Sequence, residues 1–148
     1  MPSHDVMPDM ELFQPVQVED ALALAGRLAE RGWLLGGGQD TYGWLKDRNK
    51  APEAIIDLNG IEALRGIRET ADGIEIGALT TLTELSNNAL VRERYSLLAE
   101  AAGAVASPQI RNAGTLGGNL AQDVIGRVRP FPPRAAIFLE PVTSPTHD

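Results

Sequence analysis

Two glycine clusters in the 148-residue sequence are candidate binding sites for a charged ligand. The first is the run Gly36–Gly38, followed by Gln39 and Asp40, and the second lies between Gly114 and Gly118. Glycine adopts positive φ readily and places no Cβ in the path of a ligand, so consecutive backbone N–H groups can converge on an anion. The first cluster precedes a predicted helix, whose N-terminal dipole would add to the attraction for phosphate. Two such loops facing each other across a cleft suit a pyrophosphate, and therefore a dinucleotide.

Neither cluster matches a nucleotide motif that works through a single loop. Gly36–Gly38 does not fit G-x-G-x-x-G, and neither cluster continues into G-K-[S/T]. A Rossmann site and a P-loop are therefore not expected. Spacing alone leaves two alternatives open, a pair of phosphate-binding loops or a pair of tight structural turns.

The composition excludes several other kinds of site. The sequence has no cysteine, which excludes disulfides, iron–sulfur ligation, thiolate zinc sites and thiol nucleophiles. Its two histidines, His4 and His147, lie in opposite tails, so neither a metal site nor a catalytic triad is expected. A net charge of -7 with scattered basic residues argues against a nucleic-acid partner. Without a signal-peptide layout or an apolar run of about 20 residues, no membrane partner and a cytoplasmic location are expected.

Both helices and strands are predicted to position the glycine clusters. Helical spacing of apolar residues predicts helices over residues 16–31 and 97–105, and shorter helices begin near residues 41 and 81. Short apolar runs predict strands at 33–35 and 54–58, and a hairpin joins 64–67 to 73–76. Thr81 and Glu84 have the spacing of a capping box. Ser107 and Pro108 are predicted to end the helix over 97–105, and residues 109–120 to form a glycine-rich loop.

This order of elements predicts an α+β or α/β protein with two small lobes. The predicted boundaries are a tail over residues 1–12, a first lobe over 13–59, a second lobe over 60–123 and a tail over 124–148. The last segment holds half of the chain's ten prolines and has no clear helical or alternating pattern.

Three segments resemble the FAD-binding subunits of the molybdenum hydroxylase, or xanthine dehydrogenase, family. LLGGGQD at Leu34–Asp40 resembles the first flavin motif, an apolar strand that runs into A/G-G-G-T/Q/H-D/S. LTTLTEL at Leu79–Leu85 is similar to the family's G-A-x-T-T-x-x-E-L. QIRNAGTLGGNL at Gln109–Leu120 resembles the second flavin motif, I-R-N-x-G-T-[IL]-G-G-N. The segments follow the family's order and approximate spacing, and the resemblance covers roughly residues 13–123.

The resemblance implies a PCMH-type FAD-binding domain, in which FAD lies between two small α/β lobes. The backbone of Gly36–Asp40 would cradle the pyrophosphate, and the second flavin motif would close on the cofactor. Leu35 and Leu116 would contact the flavin or adenine, or else belong to the core. Arg111 would either pair with a phosphate or clamp its own loop. The candidate cofactor-binding residues are Leu35, Gly36, Gly37, Gly38, Gln39, Asp40, Thr80, Arg111, Thr115, Leu116, Gly117, Gly118 and Asn119.

The function implied by the resemblance is electron transfer through FAD, with no catalytic side chain and no metal ligand from this chain. The electrons would pass between the iron–sulfur clusters of a partner subunit and NAD or another acceptor, and a molybdopterin subunit would complete the complex. Flavin subunits of this family continue far beyond the G-G-N motif, so we expect a truncated chain with an incomplete second lobe that is prone to self-association. The alternative is a non-catalytic remnant or assembly module that binds nucleotides weakly at most.

Overall fold

A computed structural model describes Met7 and residues 9–121 of the chain. The elements in chain order are β1 Glu11–Phe13, α1 Val18–Leu28, β2 Gly32–Leu35, α2 Thr41–Lys46, β3 Ala54–Asp57, β4 Ile67–Thr70, β5 Gly73–Ile76, α3 Leu82–Asn87, α4 Ala89–Arg94, α5 Ser96–Gly103, α6 Pro108–Ala113 and α7 Leu116–Leu120. The mixture confirms the predicted α+β class. The proline-rich tail predicted over 124–148 lies outside the described residues, and β1 begins inside the tail predicted over 1–12.

The strands of the first half form a parallel sheet in the order β1-β3-β2. Helix α1 covers one face, where Ala21 and Leu28 pack against Ile56. On the other face Leu35 and Leu45 pack against Ile55. Because both faces of the central strand are covered, β3 carries a run of apolar residues without alternation, and that run predicted the strand.

The second half is a hairpin packed on a group of short helices. Strands β4 and β5 pair antiparallel, with Thr70 opposite Gly73 at the turn. Helices α3, α4 and α5 share a separate core that includes Leu82, Leu85 and Val91. The capping box at the start of α3 is confirmed. The first arm of the hairpin begins at Ile67, the last residue of the predicted range 64–67, and a 3-10 helix at Glu62–Leu64 occupies the start of that range.

The predicted loop over residues 109–120 is wrong, since the structure has helices α6 and α7 there. Ser107 caps α6 by accepting a hydrogen bond from the Ile110 N–H, and Pro108 is its first residue. Proline is favourable at that position because its missing N–H would have no partner in the helix. Thr115 caps α7 in the same way, through the Gly118 N–H. No helix among the described residues is long and apolar enough to cross a membrane.

Candidate functional site

The two glycine clusters meet at the wall of a cavity of about 290 Å³. Its lining comes from β2, from α2 and the segment leading into it, from the first residue of α3, from the residues that follow α5, and from α6 and α7. This volume is at the low end of the range for small-molecule sites. The wall is chemically mixed, because the backbone of Gly36–Asp40 lies beside the side chains of Trp33, Trp44 and Ile110.

The first glycine cluster presents backbone donors that have no partner in the part of the chain that the structure describes. Within the described residues, no hydrogen bond engages the N–H groups of Gly37, Gly38 or Gln39. Gly38 has a φ of 73°, in the left-handed region that favours glycine. Successive N–H groups in such a turn form a concavity that binds anionic oxygens. The cavity wall at this cluster therefore has the chemistry expected of a phosphate cradle.

The second glycine cluster uses most of its N–H groups inside the fold. Leu116 N–H donates to the Thr80 carbonyl at 2.9 Å, and Gly117 N–H donates to the Ala78 carbonyl at 2.8 Å. Gly118 N–H donates to Thr115 Oγ1 at 3.2 Å. Asn119 N–H is also engaged, within α7. The expectation that N–H groups of both clusters converge on one anion is therefore wrong for these four groups of the second cluster.

Asn119, which directly follows the second cluster, offers a polar side chain to the cavity. The side chain is half-buried on the cavity wall, and within the described residues it makes no hydrogen bond. A primary amide has both donors and an acceptor, so it can bind either a phosphate oxygen or a polar ring edge.

Glycine is required at Gly37 and Gly117 by the packing of the protein against itself. A Cβ on Gly37 would lie 2.2 Å from the Ala113 carbonyl oxygen and 2.9 Å from Gly114 Cα. A Cβ on Gly117 would lie 2.9 Å from the Ala78 carbonyl oxygen. These atoms belong to the backbone and cannot rotate away. The interpretation that these two glycines clear a path for a ligand is therefore replaced by a steric one, in which they allow close contact between backbone segments.

Most of the candidate residues lie on the cavity wall, namely Gly36, Gly37, Gly38, Gln39, Asp40, Thr115, Gly118 and Asn119. Of the others, Leu35 is buried with Leu45 under the sheet. Leu116 packs against the core of the second half. Thr80 is buried and donates from Oγ1 to the Gly66 carbonyl at 3.1 Å.

Arg111 also lies off the wall and is held by the backbone before α6. Its guanidinium donates to the Val105 carbonyl at 2.8 Å and to the Ala106 carbonyl at 3.2 Å. Ala106 has a φ of 41°, an unfavourable value for a residue with a side chain. Of the two roles considered for Arg111, this geometry is that of a clamp, which holds the turn where Val105 and Ala106 line the cavity.

Two tryptophans on the cavity wall were not among the site residues predicted from the sequence. Trp33 and Trp44 lie edge to face with ring centroids 5.9 Å apart, and they are the two tryptophans of the chain. Trp33 Nε1 donates to Thr41 Oγ1 at 3.2 Å, and the Lys50 ammonium lies 5.5 Å from the Trp33 ring centroid. The two tryptophans lie on either side of the first glycine cluster in the sequence, and this proximity could have indicated that they belong to the same site.

Asp57 and Asn59 support the first glycine cluster from outside the cavity wall. Neither residue was predicted from the sequence to belong to the site. Asn59 Nδ2 donates to the Gly36 carbonyl at 2.9 Å and to Asp57 Oδ1 at 2.7 Å. Asp57 Oδ1 also accepts from the Asn59 N–H at 3.0 Å, and Oδ2 accepts from Gln14 Nε2 at 3.1 Å. Burial alone would raise the pKa of Asp57, but these hydrogen bonds outweigh it and lower the pKa below its ordinary value. The carboxylate is therefore ionised at neutral pH.

Comparison with known proteins gives consistent matches. Residues 8–126 match the family described as "FAD binding domain in molybdopterin dehydrogenase". The chain is 42% identical to the carbon monoxide dehydrogenase medium chain of Hydrogenophaga pseudoflava over 125 residues, covering 84% of this chain and 44% of that protein. It is 38% identical to the nicotinate dehydrogenase FAD-subunit of Eubacterium barkeri over 115 residues, covering 77% and 39%.

The fold is similar to that of solved structures with related sequences. A chain of the carbon monoxide dehydrogenase from Hydrogenophaga pseudoflava matches with a TM-score of 0.75 at 43% identity, over 78% of this chain and 40% of that chain. A chain of the quinoline 2-oxidoreductase from Pseudomonas putida 86 matches with a TM-score of 0.74 at 25% identity, over the same shares of 78% and 40%. The chain thus spans less than half the length of these relatives.

Proposed function

Because the chain belongs to the family of FAD-binding domains in molybdopterin dehydrogenases, whose cofactor is FAD, we propose that it holds FAD in the cavity between its glycine clusters. The observation that carries this proposal is the row of N–H donors at Gly37, Gly38 and Gln39 on the cavity wall, which have no hydrogen-bond partner among residues 9–121. A dinucleotide has a pyrophosphate at its centre, and this cradle suits that group. The residues present therefore fit the cofactor.

The two walls of the cavity would bind different parts of the cofactor. The N–H groups of the first cluster would bind pyrophosphate oxygens, and the Asn119 amide would bind the cofactor from the opposite wall. Trp33, Trp44 and Ile110 would provide apolar contact for a ring system. Since the cavity of about 290 Å³ is small for a whole dinucleotide, it would enclose the pyrophosphate and the groups next to it.

The reaction we propose is electron transfer as part of a larger enzyme. FAD supplies the redox chemistry when it is bound, and the chain's own residues bind and orient it. Because the chain has no cysteine, thiolate-bound iron–sulfur clusters would be held by a partner subunit, and the molybdopterin by another. NAD or another acceptor would exchange electrons with the flavin. Relatives named as a medium chain or a medium subunit support this division of labour.

An absorption spectrum of the purified chain tests flavin binding directly. The protein is measured as isolated and again after incubation with excess FAD and desalting, and we expect flavin bands to remain with the protein. Asn119→Ala should weaken retention because it removes a polar group on the wall. Asn49→Ala is the matched control, since this exposed side chain makes no hydrogen bond within the described residues and lies off the wall.

A folded sample that retains no flavin would refute the proposal for this chain alone. Circular dichroism establishes folding in the same sample, and size-exclusion chromatography reports self-association. A colourless, folded oligomer would instead favour an assembly module. Substitutions of Gly37 or Gly117 are unsuitable for this test, because their Cβ atoms would collide with the protein backbone whether or not FAD is bound.

A further inference from the structure

We propose that Asn59, held in place by Asp57, is a positioning residue that sets the orientation of the pyrophosphate-binding backbone at Gly36–Gly37. This inference rests on the proposed function and adds to it a residue outside all of the flavin motifs. Asn59 does not line the cavity, so it would act through the glycine cluster and not by touching the cofactor. Its hydrogen bond to the Gly36 carbonyl, at 2.9 Å, is the contact through which it acts.

The chemistry of its neighbours determines which way the Asn59 amide faces. The Gly36 carbonyl and the Asp57 carboxylate both accept hydrogen bonds and donate none. The NH₂ group of Asn59 must therefore face both, which agrees with its distances of 2.9 Å and 2.7 Å to them. The opposite orientation would place the amide oxygen against two acceptors. The side chain thus has a single favourable orientation at this position.

Fixing the Gly36 carbonyl also fixes the Gly37 N–H. The two groups belong to the same peptide unit, and the described residues contain no cis peptide bond. In a trans unit the C=O and N–H point in opposite directions. With the carbonyl held toward Asn59, the Gly37 N–H points away from Asn59. Gly36 and Gly37 line the cavity and Asn59 does not. On this proposal the Gly37 N–H therefore faces the cavity.

Asn59 is an exposed residue that is itself held by hydrogen bonds at several atoms. Asp57, the last residue of β3, accepts from its N–H at 3.0 Å as well as from its side chain. The Arg65 guanidinium donates to its carbonyl at 3.0 Å. Gln14 holds the other carboxylate oxygen of Asp57 at 3.1 Å. The hydrogen bonds that hold the glycine cluster are therefore anchored, through Asp57, to β3, the central strand of the parallel sheet.

Asn59→Leu tests the inference, with Asn49→Leu as the matched control. The substitution keeps a side chain of similar size and removes its hydrogen bonds. In an amide-detected NMR spectrum of the full chain without ligand, we expect the Gly37 and Gly38 signals to move in Asn59→Leu and to stay in the control. The dissociation constant for FAD should rise about fivefold, since one hydrogen bond is worth about 1 kcal/mol. ADP, which carries a pyrophosphate and no flavin, should lose affinity by the same factor.

The possible outcomes separate this inference from the proposed function. Unchanged Gly37 and Gly38 signals in Asn59→Leu, or FAD and ADP affinities equal to those of wild type, would overturn the role of Asn59. A wild-type chain that binds neither ligand would refute the proposed function. The amide signals alone would then test whether Asn59 positions the Gly36–Gly37 backbone. If Asn59→Leu does not fold, Asp57→Asn replaces it, with the same signals expected to move and an affinity loss of about twofold.

Discussion

Replacing Gly37 by alanine should destabilise the protein even in the absence of any ligand. The new Cβ would lie 2.2 Å from the Ala113 carbonyl oxygen and 2.9 Å from Gly114 Cα. Favourable contacts of carbon begin at about 3.5 Å, so the two backbone segments would have to separate by about 1 Å. Forcing extra atoms into a packed region costs about 1–3 kcal/mol. We expect the upper end of that range, because no side chain can rotate to make room.

Gly43→Ala is the matched control for this substitution. Gly43 lies inside helix α2, off the cavity wall, and a Cβ built there meets nothing within 4 Å. Alanine is favoured over glycine in a helix by up to about 1 kcal/mol. The same chemical change should therefore stabilise the protein at Gly43 and destabilise it at Gly37.

Urea unfolding of FAD-free protein, followed by circular dichroism, measures both variants. If Gly37→Ala unfolds with a free energy within about 0.5 kcal/mol of wild type, where exposed and unconstrained sites fall, the backbone contact between the clusters is refuted. A variant with normal stability and weakened FAD binding would restore the interpretation that this glycine makes room for the ligand.

Further predictions concern the cap of α3, the ionisation of Asp57 and the tryptophans. Thr81→Ala removes the side chain that accepts from the Glu84 N–H and should lower the free energy of unfolding by about 1 kcal/mol, measured in urea. The folded pKa of Asp57 is lowered, so its contribution to stability is complete above its ordinary pKa of about 4 and is lost as the pH falls through the lowered value. The difference in unfolding free energy between wild type and Asp57→Asn should therefore shrink below about pH 4, and an equal difference at neutral and acidic pH would contradict the assignment. Because both tryptophans line the cavity, added FAD should quench their fluorescence with saturation, in wild type and in Trp33→Phe. Retained flavin without quenching would place the cofactor elsewhere.

Features encoded within a few neighbouring residues could be predicted from the sequence. The buried strand at Ala54–Asp57 follows from a short apolar run, and the helix start at Thr81 follows from the spacing of Thr81 and Glu84. The flavin motifs are equally local, so the amino-acid sequence was sufficient to identify the family, and the family match confirms it. The helices over Pro108–Ala113 and Leu116–Leu120 were mistaken for a loop. Gly117 and Gly118 are unfavourable in the interior of an isolated helix, and Pro108 was taken as the end of one helix although it begins another.

Contacts between distant segments were decided by the tertiary structure alone. The helix at Leu116–Leu120 is held by hydrogen bonds to Ala78 and Thr80, which come from another part of the chain. Position 37 requires glycine because the Ala113 backbone lies against it. The Gly36 carbonyl accepts a hydrogen bond from the Asn59 side chain. A glycine needed for a ligand and a glycine needed for backbone contact look identical in a sequence. Only the fold, by bringing the two clusters together, shows which N–H groups hydrogen-bond within the protein and which have no partner among the described residues.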